Sequence, residues 1–425
     1  MAALASGLPA VRDAAMRTLI LALLLTAPAV AQPIGLPAAH AKLAADYDQT
    51  VAELIELTEI PAPPFKEAAR GQRMLEKFKA LGLADVHMDA VGNVIGTRPG
   101  KDRAAKALMV AAHLDTVFPE GTNTKVRREG DTLHAPGIGD TTVTLAALLA
   151  FVRAMNAARL QTPRDIIFVA NVGEEGQGDL RGVRHLFSAS PLRPRIGDFI
   201  SFDGSTVGGV TNSGVGSRRY RVAFVGPGGH SYGAFGIVNP MVAMAGVVQG
   251  LYKIVPPTDV KTTYSASTVA GGTSVNSIPN TITMEFDMRS AAPANLKAVE
   301  AQFLALITSN VAAENAARDT RYGKISASPE LIGDRPAGTT AEADPLVQTA
   351  ARVLKANGYP ARLGAGSTDS NIPISLGIPA ITLSAGGGGF RAHALDEYVN
   401  VERGAFIKGI TTAFDIVVAA AGIKR

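Results

Sequence analysis

The stretch Ala107-Leu-Met-Val-Ala-Ala-His-Leu-Asp-Thr116 decides the fold of this chain. Its apolar part has the length of a strand and lacks polar alternation, which is typical of a strand buried on both faces of a parallel sheet. The run ends at His113, and Asp115 follows two residues later. Ligands bind at the carboxyl ends of strands in open α/β sheets, so this stretch predicts two metal-competent side chains at that edge.

Four predicted strands precede side chains that are able to bind a metal. The strands alternate with segments of helical periodicity, which indicates a doubly wound α/β sheet. Because parallel strands bring their carboxyl ends to one edge, we expect these side chains to meet there. In chain order they are His113 with Asp115, Glu174 with Glu175, Asp203, and His393.

The pattern changes near residue 213. Between 214 and 332 the predicted elements follow the order β-α-β-β-α-β, and the strands alternate as half-exposed strands do. This order is typical of the ferredoxin-like fold, which is compact enough to stand as an inserted domain. The sequence therefore predicts a doubly wound, mostly parallel catalytic domain in two parts, 32–213 and 333–425, interrupted by an α+β lid domain over 214–332.

Composition limits the chemistry. The chain has 425 residues, of which 47% are hydrophobic and 18% charged, as expected for a well-packed globular protein. Cysteine is absent, so any metal must be held by His, Asp and Glu. The formal net charge is +4 and no run of Lys or Arg stands out, which gives no support to nucleic-acid binding.

The first 31 residues predict a secretory signal peptide. Arg12 and Arg17 form the positive region, Thr18–Thr26 the apolar core, and Ala29-Val-Ala31 a small-residue cleavage site. Met16 is an alternative start that would give a shorter leader. The apolar core is too short for a stable membrane anchor. We therefore expect an exported protein, periplasmic or secreted after cleavage near Ala31.

Two imidazoles and several carboxylates favour zinc, cobalt or manganese over calcium or copper. A two-metal site needs a bridging carboxylate, terminal ligands, and a further carboxylate for the proton. Adjacent Glu174 and Glu175 point in different directions, so one suits a ligand and the other a base. Asp115 is better placed to accept the second N–H of the His113 imidazole than to bind the ion. The candidate ligands are His113, Asp140, Glu175, Asp203 and His393.

These motifs, with Gly229-His230 between them, resemble the M20 family of co-catalytic zinc metallopeptidases. The family includes peptidase T, glutamate carboxypeptidases and aminoacylases, and the resemblance covers nearly the whole mature chain in order. It implies two Zn²⁺ per subunit, with Co²⁺ or Mn²⁺ as substitutes, and cleavage of an amide bond in small peptides or N-acyl amino acids. It implies that His113 and Asp203 bind one zinc and that Glu175 and His393 bind the other. Asp140 would bridge the two ions. Glu174 would be the general base, and Asp115 would be the acid that orients the His113 imidazole.

The resemblance extends into the lid and implies a homodimer through it. His230 resembles the family's histidine that reaches the partner subunit's active site and stabilises the oxyanion. Asn276, in Gly271-Gly-Thr-Ser-Val-Asn-Ser-Ile-Pro279, and Arg289, in Asp287-Met-Arg, resemble residues that face the substrate. Ser367-Thr-Asp369 resembles the loop beside the last catalytic strand.

One departure from the family pattern concerns the residues after Asp140. The family usually continues with Asp or Asn, then Lys and Gly, whereas this chain has Thr141-Thr142. Asp140 before a helix is also a good N-cap. A non-catalytic binding protein with altered metal affinity is therefore one alternative. A second is a serine hydrolase, because Gly229-His-Ser231-Tyr-Gly233 satisfies G-x-S-x-G and Asp369 and His393 follow in the required order.

Overall fold

The computed structural model describes residues 35–423, so the predicted signal peptide lies outside the described residues. A nine-stranded mixed sheet forms the centre of the larger domain. Its strand order is β1-β2-β6-β3-β7-β17-β8-β15, with β16 paired to β8. These strands are β1 (Ala84–Met88), β2 (Val94–Arg98), β3 (Ala107–His113), β6 (Ile166–Asn171), β7 (Ile196–Phe202), β8 (Gly209–Gly214), β15 (Gly338–Thr339), β16 (Arg362–Gly366) and β17 (Ala380–Leu383).

The four central strands β6, β3, β7 and β17 are parallel to one another. Successive residues of β3 point to opposite faces: Leu108 and Val110 join one hydrophobic core, and Met109 and Ala111 join a second. Because both faces of β3 are buried, its sequence shows no polar alternation. The doubly wound, mostly parallel fold class predicted from this strand is therefore confirmed.

Helices cover both faces of this sheet. The larger core includes residues of α1, α2, α3, α4, α8 and α10, and the smaller core lies under α5 and α9. The helices are α1 (Leu36–Ala45), α2 (Tyr47–Thr58), α3 (Ala68–Ala80), α4 (Val143–Ala157), α5 (Arg181–Ser188), α8 (Pro345–Ala356), α9 (Asn371–Ser375) and α10 (Arg403–Ala420).

The segment Ile138–Ala157, which contains α4, is apolar and long enough to cross a membrane. However, 89% of its most apolar 18-residue stretch is buried inside the protein. Its composition is explained by its position in the larger core, where it contacts β3 and the helices α1 and α2. We therefore interpret it as a core helix.

The lid is an antiparallel sheet with two helices on one face. Its elements in chain order are β9 (Gly216–Val225), α6 (Pro240–Leu251), β11 (Thr262–Gly271), β13 (Thr281–Ser290), α7 (Pro293–Ala317) and β14 (Ser326–Arg335). The sheet order β11-β13-β9-β14 is that of the ferredoxin-like fold. Val222, Phe286 and Phe303 lie in the core between sheet and helices. In the same segment of the chain, β10 (Gly229–His230) and β12 (Ser277–Ile278) form a separate two-stranded antiparallel sheet.

A second small sheet lies beside the carboxyl edge of the central sheet. It consists of β4 (Arg127–Glu129), β5 (Thr132–His134), β18 (Gly389–Phe390) and β19 (Tyr398–Asn400), in the order β18-β19-β5-β4. Pairing of β19 with β5 brings the loop that contains Asp140 next to the segment that contains His393 and Glu397. This small sheet was not predicted from the sequence.

Candidate active site

Two histidines lie on either side of one carboxylate. Nε2 of His113 is 3.2 Å from Oδ1 of Asp140, and Nε2 of His393 is 3.2 Å from Oδ2 of the same residue. His113 is the last residue of β3, whereas His393 lies in a loop with a left-handed backbone (φ 66°). A carboxylate with one oxygen toward each imidazole has the arrangement that a ligand bridging two metals requires.

Two further carboxylates complete the cluster. Oε1 of Glu175 is 3.1 Å from Nε2 of His393, and Oδ1 of Asp203 is 3.9 Å from Nε2 of His113. Each imidazole therefore has its own terminal carboxylate in addition to the shared Asp140. His113, Asp140 and Glu175 also present ligand atoms that lie within 4.8 Å of one another.

The protein atoms in this cluster fit a metal site. Nε2 of His113 and Oδ1 of Asp140 are buried, yet neither makes a hydrogen bond to any residue between 35 and 423. Buried polar atoms are normally satisfied, so a cation between them accounts for both. Burial opposes a charged His113, but Asp140 and Asp203 outweigh it and raise its pKa well above its usual value. Such an imidazole releases a proton when a metal binds.

The loop that contains Asp140 accommodates threonine at position 141, where the family usually has Asp or Asn. Residues Ile138–Thr142 form a kinked turn, and the peptide bond between Asp140 and Thr141 is cis. The buried Thr141 hydroxyl lies 2.6 Å from the Thr144 hydroxyl, which donates to the main-chain oxygen of Thr141 at 2.8 Å. The Thr142 hydroxyl donates to the oxygen of Gly137. The threonines are thus satisfied within the loop, and Asp140 keeps its place between the two imidazoles.

Glu397 is a site residue that the sequence reasoning missed. It is buried, and its carboxylate accepts hydrogen bonds from the backbone N–H groups of Gly137, Gly139 and Asp140 at 2.7–2.8 Å. Burial raises the pKa of Glu397 to about 7, and the three backbone donors oppose that rise. Glu397 thereby fixes the backbone of the Asp140 loop.

Asp115 is fully buried next to the candidate ligand His113. Its two carboxylate oxygens accept from the backbone N–H groups of Glu174 (3.0 Å) and Glu175 (2.8 Å). The Nδ1 atom of His113 lies 3.0 Å from the main-chain oxygen of Asp115 and 3.7 Å from its carboxylate. The sequence predicts that the carboxylate orients the imidazole. In the structure the main-chain oxygen of Asp115 makes that contact. The carboxylate instead binds the backbone N–H groups of Glu174 and Glu175.

Glu174 is buried beside the candidate ligand Glu175 and forms an ion pair with Arg335. Oε1 of Glu174 lies 3.0 Å from Nη1 of Arg335. Burial raises the pKa of Glu174 well above its usual value, and Arg335 opposes this rise. A carboxylate whose pKa is raised in this way suits proton transfer in both directions.

The lid residues named from the sequence lie at two places. His230, on β10, and Asn276, just before β12, are both exposed, and Nδ1 of His230 accepts from the backbone N–H groups of Tyr232 and Gly233. Arg289 lies on β13, and its Nε donates to Asp287 at 2.7 Å. Asp287 also accepts from Arg219, whose Nη1 is 3.5 Å from the oxygen of Gly176. The face of the lid sheet that contains Arg289 is therefore turned toward the catalytic domain.

The serine-hydrolase alternative does not match this geometry. A nucleophile elbow requires a helix directly after the serine, but Ser231 lies in a run of turns and α6 begins only at Pro240. Within residues 35–423 the His393 ring contacts Asp140 and Glu175. Asp369 is buried and accepts instead from Asn171 at 2.8 Å.

Comparison with known proteins gives a family and a fold. The model of peptidase family M20/M25/M40 matches residues 109–418. Aminopeptidase PepT from Bacillus cereus has a TM-score of 0.69 at 20% identity, over 88% of this chain and 99% of that chain. A tripeptidase from Staphylococcus aureus has a TM-score of 0.73 at 20% identity, over 88% and 98%.

A further solved structure is described by its metal content. The YXEP protein of Bacillus subtilis, described as a dinuclear metal binding peptidase from the M20 family, has a TM-score of 0.64 at 16% identity. The match covers 89% of this chain and 99% of that chain. At these identities the three structures establish a shared fold.

Proposed function

Because the chain belongs to peptidase family M20/M25/M40, a family of metal-dependent hydrolases that act on amide bonds, we propose that it is an exported di-zinc hydrolase of small peptides or N-acyl amino acids. The observation that supports this most is the position of Asp140 between His113 and His393, with a terminal carboxylate beside each imidazole. His113 and Asp203 would hold one ion, and Glu175 and His393 the other. Bound Zn²⁺ would polarise the substrate carbonyl and acidify a water molecule.

Glu174 is the proposed general base. Its Oε1 is held by Arg335, so Oε2 is the atom proposed to take the proton from the attacking water. The water oxygen forms a bond to the carbonyl carbon, and the same carboxyl group then donates that proton to the leaving nitrogen as the C–N bond breaks. Asp115 accepts hydrogen bonds from the backbone N–H groups of Glu174 and Glu175, which fixes the backbone of the proposed base and of the proposed ligand.

Substrate recognition is assigned to the lid. Arg289 lies on the polar face of the lid sheet that is turned toward the catalytic domain, where a guanidinium would pair with a substrate carboxylate. One carboxylate oxygen of Asp287 accepts from Arg219 and the other accepts from Arg289, so both arginines are held in place before substrate binds. Small peptides with a free carboxyl terminus and N-acyl amino acids both carry such a carboxylate.

A homodimer through the lid is part of the proposal. Strand β11 is an edge strand without charged residues or proline, and an open edge of this kind favours pairing with another chain. In such a dimer the exposed His230 and Asn276 would reach the partner's site. Sedimentation equilibrium should give a dimer, and Val269→Lys on β11 should shift it toward monomer; a fully active wild-type monomer would refute this part.

Export is proposed from the leader alone. Cleavage after Ala31 would leave Gln32 at the amino terminus, ahead of α1, so each described helix and strand is retained. Intact-mass analysis of protein from the periplasm or culture medium should show loss of residues 1–31. Recovery of the full-length chain from the cytoplasm would contradict export.

The central experiment combines metal analysis with a substrate panel. Purified protein should contain about two zinc ions per subunit and, with added zinc or cobalt, should hydrolyse members of a dipeptide and N-acyl amino acid panel. Glu174→Gln should lower kcat by ~10²–10⁴-fold with unchanged metal content. Glu342→Gln on an exposed loop is the matched control and should behave as wild type.

Two results would favour other functions, and a third would contradict the role of Glu174. Protein that retains no metal under zinc-replete conditions would support the non-catalytic binding protein. Activity that survives EDTA but is lost to a serine-directed phosphonate would support the serine hydrolase. Full activity of Glu174→Gln would remove that residue as the base.

A further inference from the structure

Strand β14 leads from the lid back into the catalytic domain and ends at Arg335, whose side chain is only 5% exposed. Pro336 follows, and the residue before proline is restricted to extended conformations. The backbone of Arg335 is therefore fixed by strand pairing on one side and by Pro336 on the other. A buried guanidinium at a domain junction is costly unless it is well paired.

The guanidinium holds Glu174 at two points. Nη1 of Arg335 donates to the carboxylate Oε1 of Glu174 at 3.0 Å, and Nη2 donates to the main-chain oxygen of Glu174. Nη1 also lies 3.2 Å from Oγ of Ser367, in the loop after β16. One planar group thus fixes both the backbone and the side chain of one residue, which a flexible ammonium does not reproduce.

The same junction has a second set of contacts. The backbone N–H of Asp334 donates to Oδ2 of Asp179 at 3.3 Å, and Arg184 donates to the main-chain oxygen of Asp334. Nε of Arg335 is 3.9 Å from Oδ1 of Asp179. Asp179 and Arg184 follow Glu174 and Glu175 in the chain, so the end of β14 is attached along the whole segment that starts with the glutamate pair.

We propose that Arg335 is a positioning residue that fixes Glu174 and couples it to the return strand of the lid. The inference rests on the proposed function for its catalytic consequence. Any displacement of β14 moves the guanidinium that holds both the carboxylate and the backbone of Glu174. The base is therefore correctly placed only when the lid has the attachment seen here.

Arg218 provides a matched control. It lies on β9 at the same junction, and its side chain pairs with Asp334 and Glu300 rather than with Glu174. Substitution of Arg218 removes a guanidinium that pairs with the end of β14 but leaves the Arg335–Glu174 contact in place. Arg335→Met keeps most of the buried volume and tests the charge, whereas Arg335→Ala opens space for a small cation.

The first readout is turnover of the zinc-loaded dimer. Arg335→Met should lower kcat by about 10²-fold with KM within about threefold, as expected when a reacting group is misplaced by about 1 Å. Added guanidinium should raise the kcat of Arg335→Ala in a concentration-dependent way and leave Arg218→Ala unchanged. Wild-type kcat in Arg335→Met, an equal loss in Arg218→Ala, or absence of rescue would overturn the inference.

The second readout does not depend on activity. Hydrogen–deuterium exchange in peptides covering 172–180 should become faster by about tenfold in Arg335→Met and stay at the wild-type rate in Arg218→Ala. If wild-type protein hydrolyses nothing on the panel, the proposed function fails, and this exchange measurement alone decides whether Arg335 holds the segment. Unchanged exchange in Arg335→Met would refute the positioning role in either case.

Discussion

Replacement of Asp115 by asparagine tests how the glutamate pair is held. Both carboxylate oxygens of Asp115 accept a backbone N–H, one from Glu174 and one from Glu175, and the side chain is completely buried. Asparagine has the same shape but only one accepting oxygen. Its NH₂ group must therefore face one of the two backbone N–H groups, which leaves that donor unpaired in the interior.

The magnitude follows from these contacts. Loss of a hydrogen bond to a charged acceptor costs about 1.5–3 kcal/mol, and an unpaired buried N–H costs a further ~1–3 kcal/mol. Arg70 adds to this, because burial lowers its pKa to about 10 and the charge of Asp115 opposes that shift. We expect Asp115→Asn to lower the free energy of unfolding by about 3–5 kcal/mol, out of about 5–15 kcal/mol for a typical protein.

Metal affinity should fall as well, because Glu175 is a proposed ligand and Asp115 holds its backbone. Loss of such a supporting group weakens metal binding by about 10–100-fold. Urea denaturation of metal-free protein and chelator competition with zinc measure the two effects separately. Asp102→Asn is the control, since Asp102 also accepts two backbone N–H groups but is exposed. Equal stability of the two variants would refute the reasoning.

The remaining predictions concern buried polar groups around the ligands. Burial raises the pKa of Asp369 from 3.8 to about 7, so the folded, metal-free protein loses stability as the pH rises through that window. Asp369→Asn cannot ionise, so its free energy of unfolding relative to wild type should increase by a few kcal/mol between pH 4 and pH 8 in urea titrations. A difference in free energy that stays constant with pH would contradict the raised pKa of Asp369. Thr144→Val should destabilise by ~1–3 kcal/mol through its lost hydrogen bonds, whereas exposed Thr308→Val should change the unfolding midpoint little. Glu397→Gln should weaken zinc binding by about 10–100-fold in the chelator assay, and Glu402→Gln, an exposed helix cap with two backbone N–H donors, should leave it unchanged.

Elements with a strong local pattern could be predicted from the sequence. Strands β3, β6 and β7 are apolar runs, and the residues that follow or end them meet at one edge because parallel strands share a direction. Strands β8 and β16 were not predicted, since Gly209–Gly214 and Arg362–Gly366 are rich in glycine and short of large apolar residues. Their extended conformation comes from pairing with each other and, for β8, with β17, which local sequence does not encode.

The supporting residues around the ligands were missed for a different reason. Arg335 contacts a residue 161 positions away, and Glu397 contacts one 257 positions away. Neither has a local pattern that distinguishes it from a surface charge. Each became recognisable only when the lid return strand and the β18–β19 hairpin were placed beside the catalytic edge.

The position of Asp140 shows why its threonines are tolerated. The Thr141 hydroxyl makes its hydrogen bonds away from the imidazoles: it lies 2.6 Å from the Thr144 hydroxyl and 3.5 Å from the main-chain oxygen of Phe202. The backbone N–H of Asp140 is instead held by Glu397, which enters from the other end of the chain. Because the proposed bridging carboxylate is placed through this backbone contact, the residue at 141 needs only to fill a buried polar position. A hydroxyl bonded within its own turn does so without reaching the candidate metal ligands.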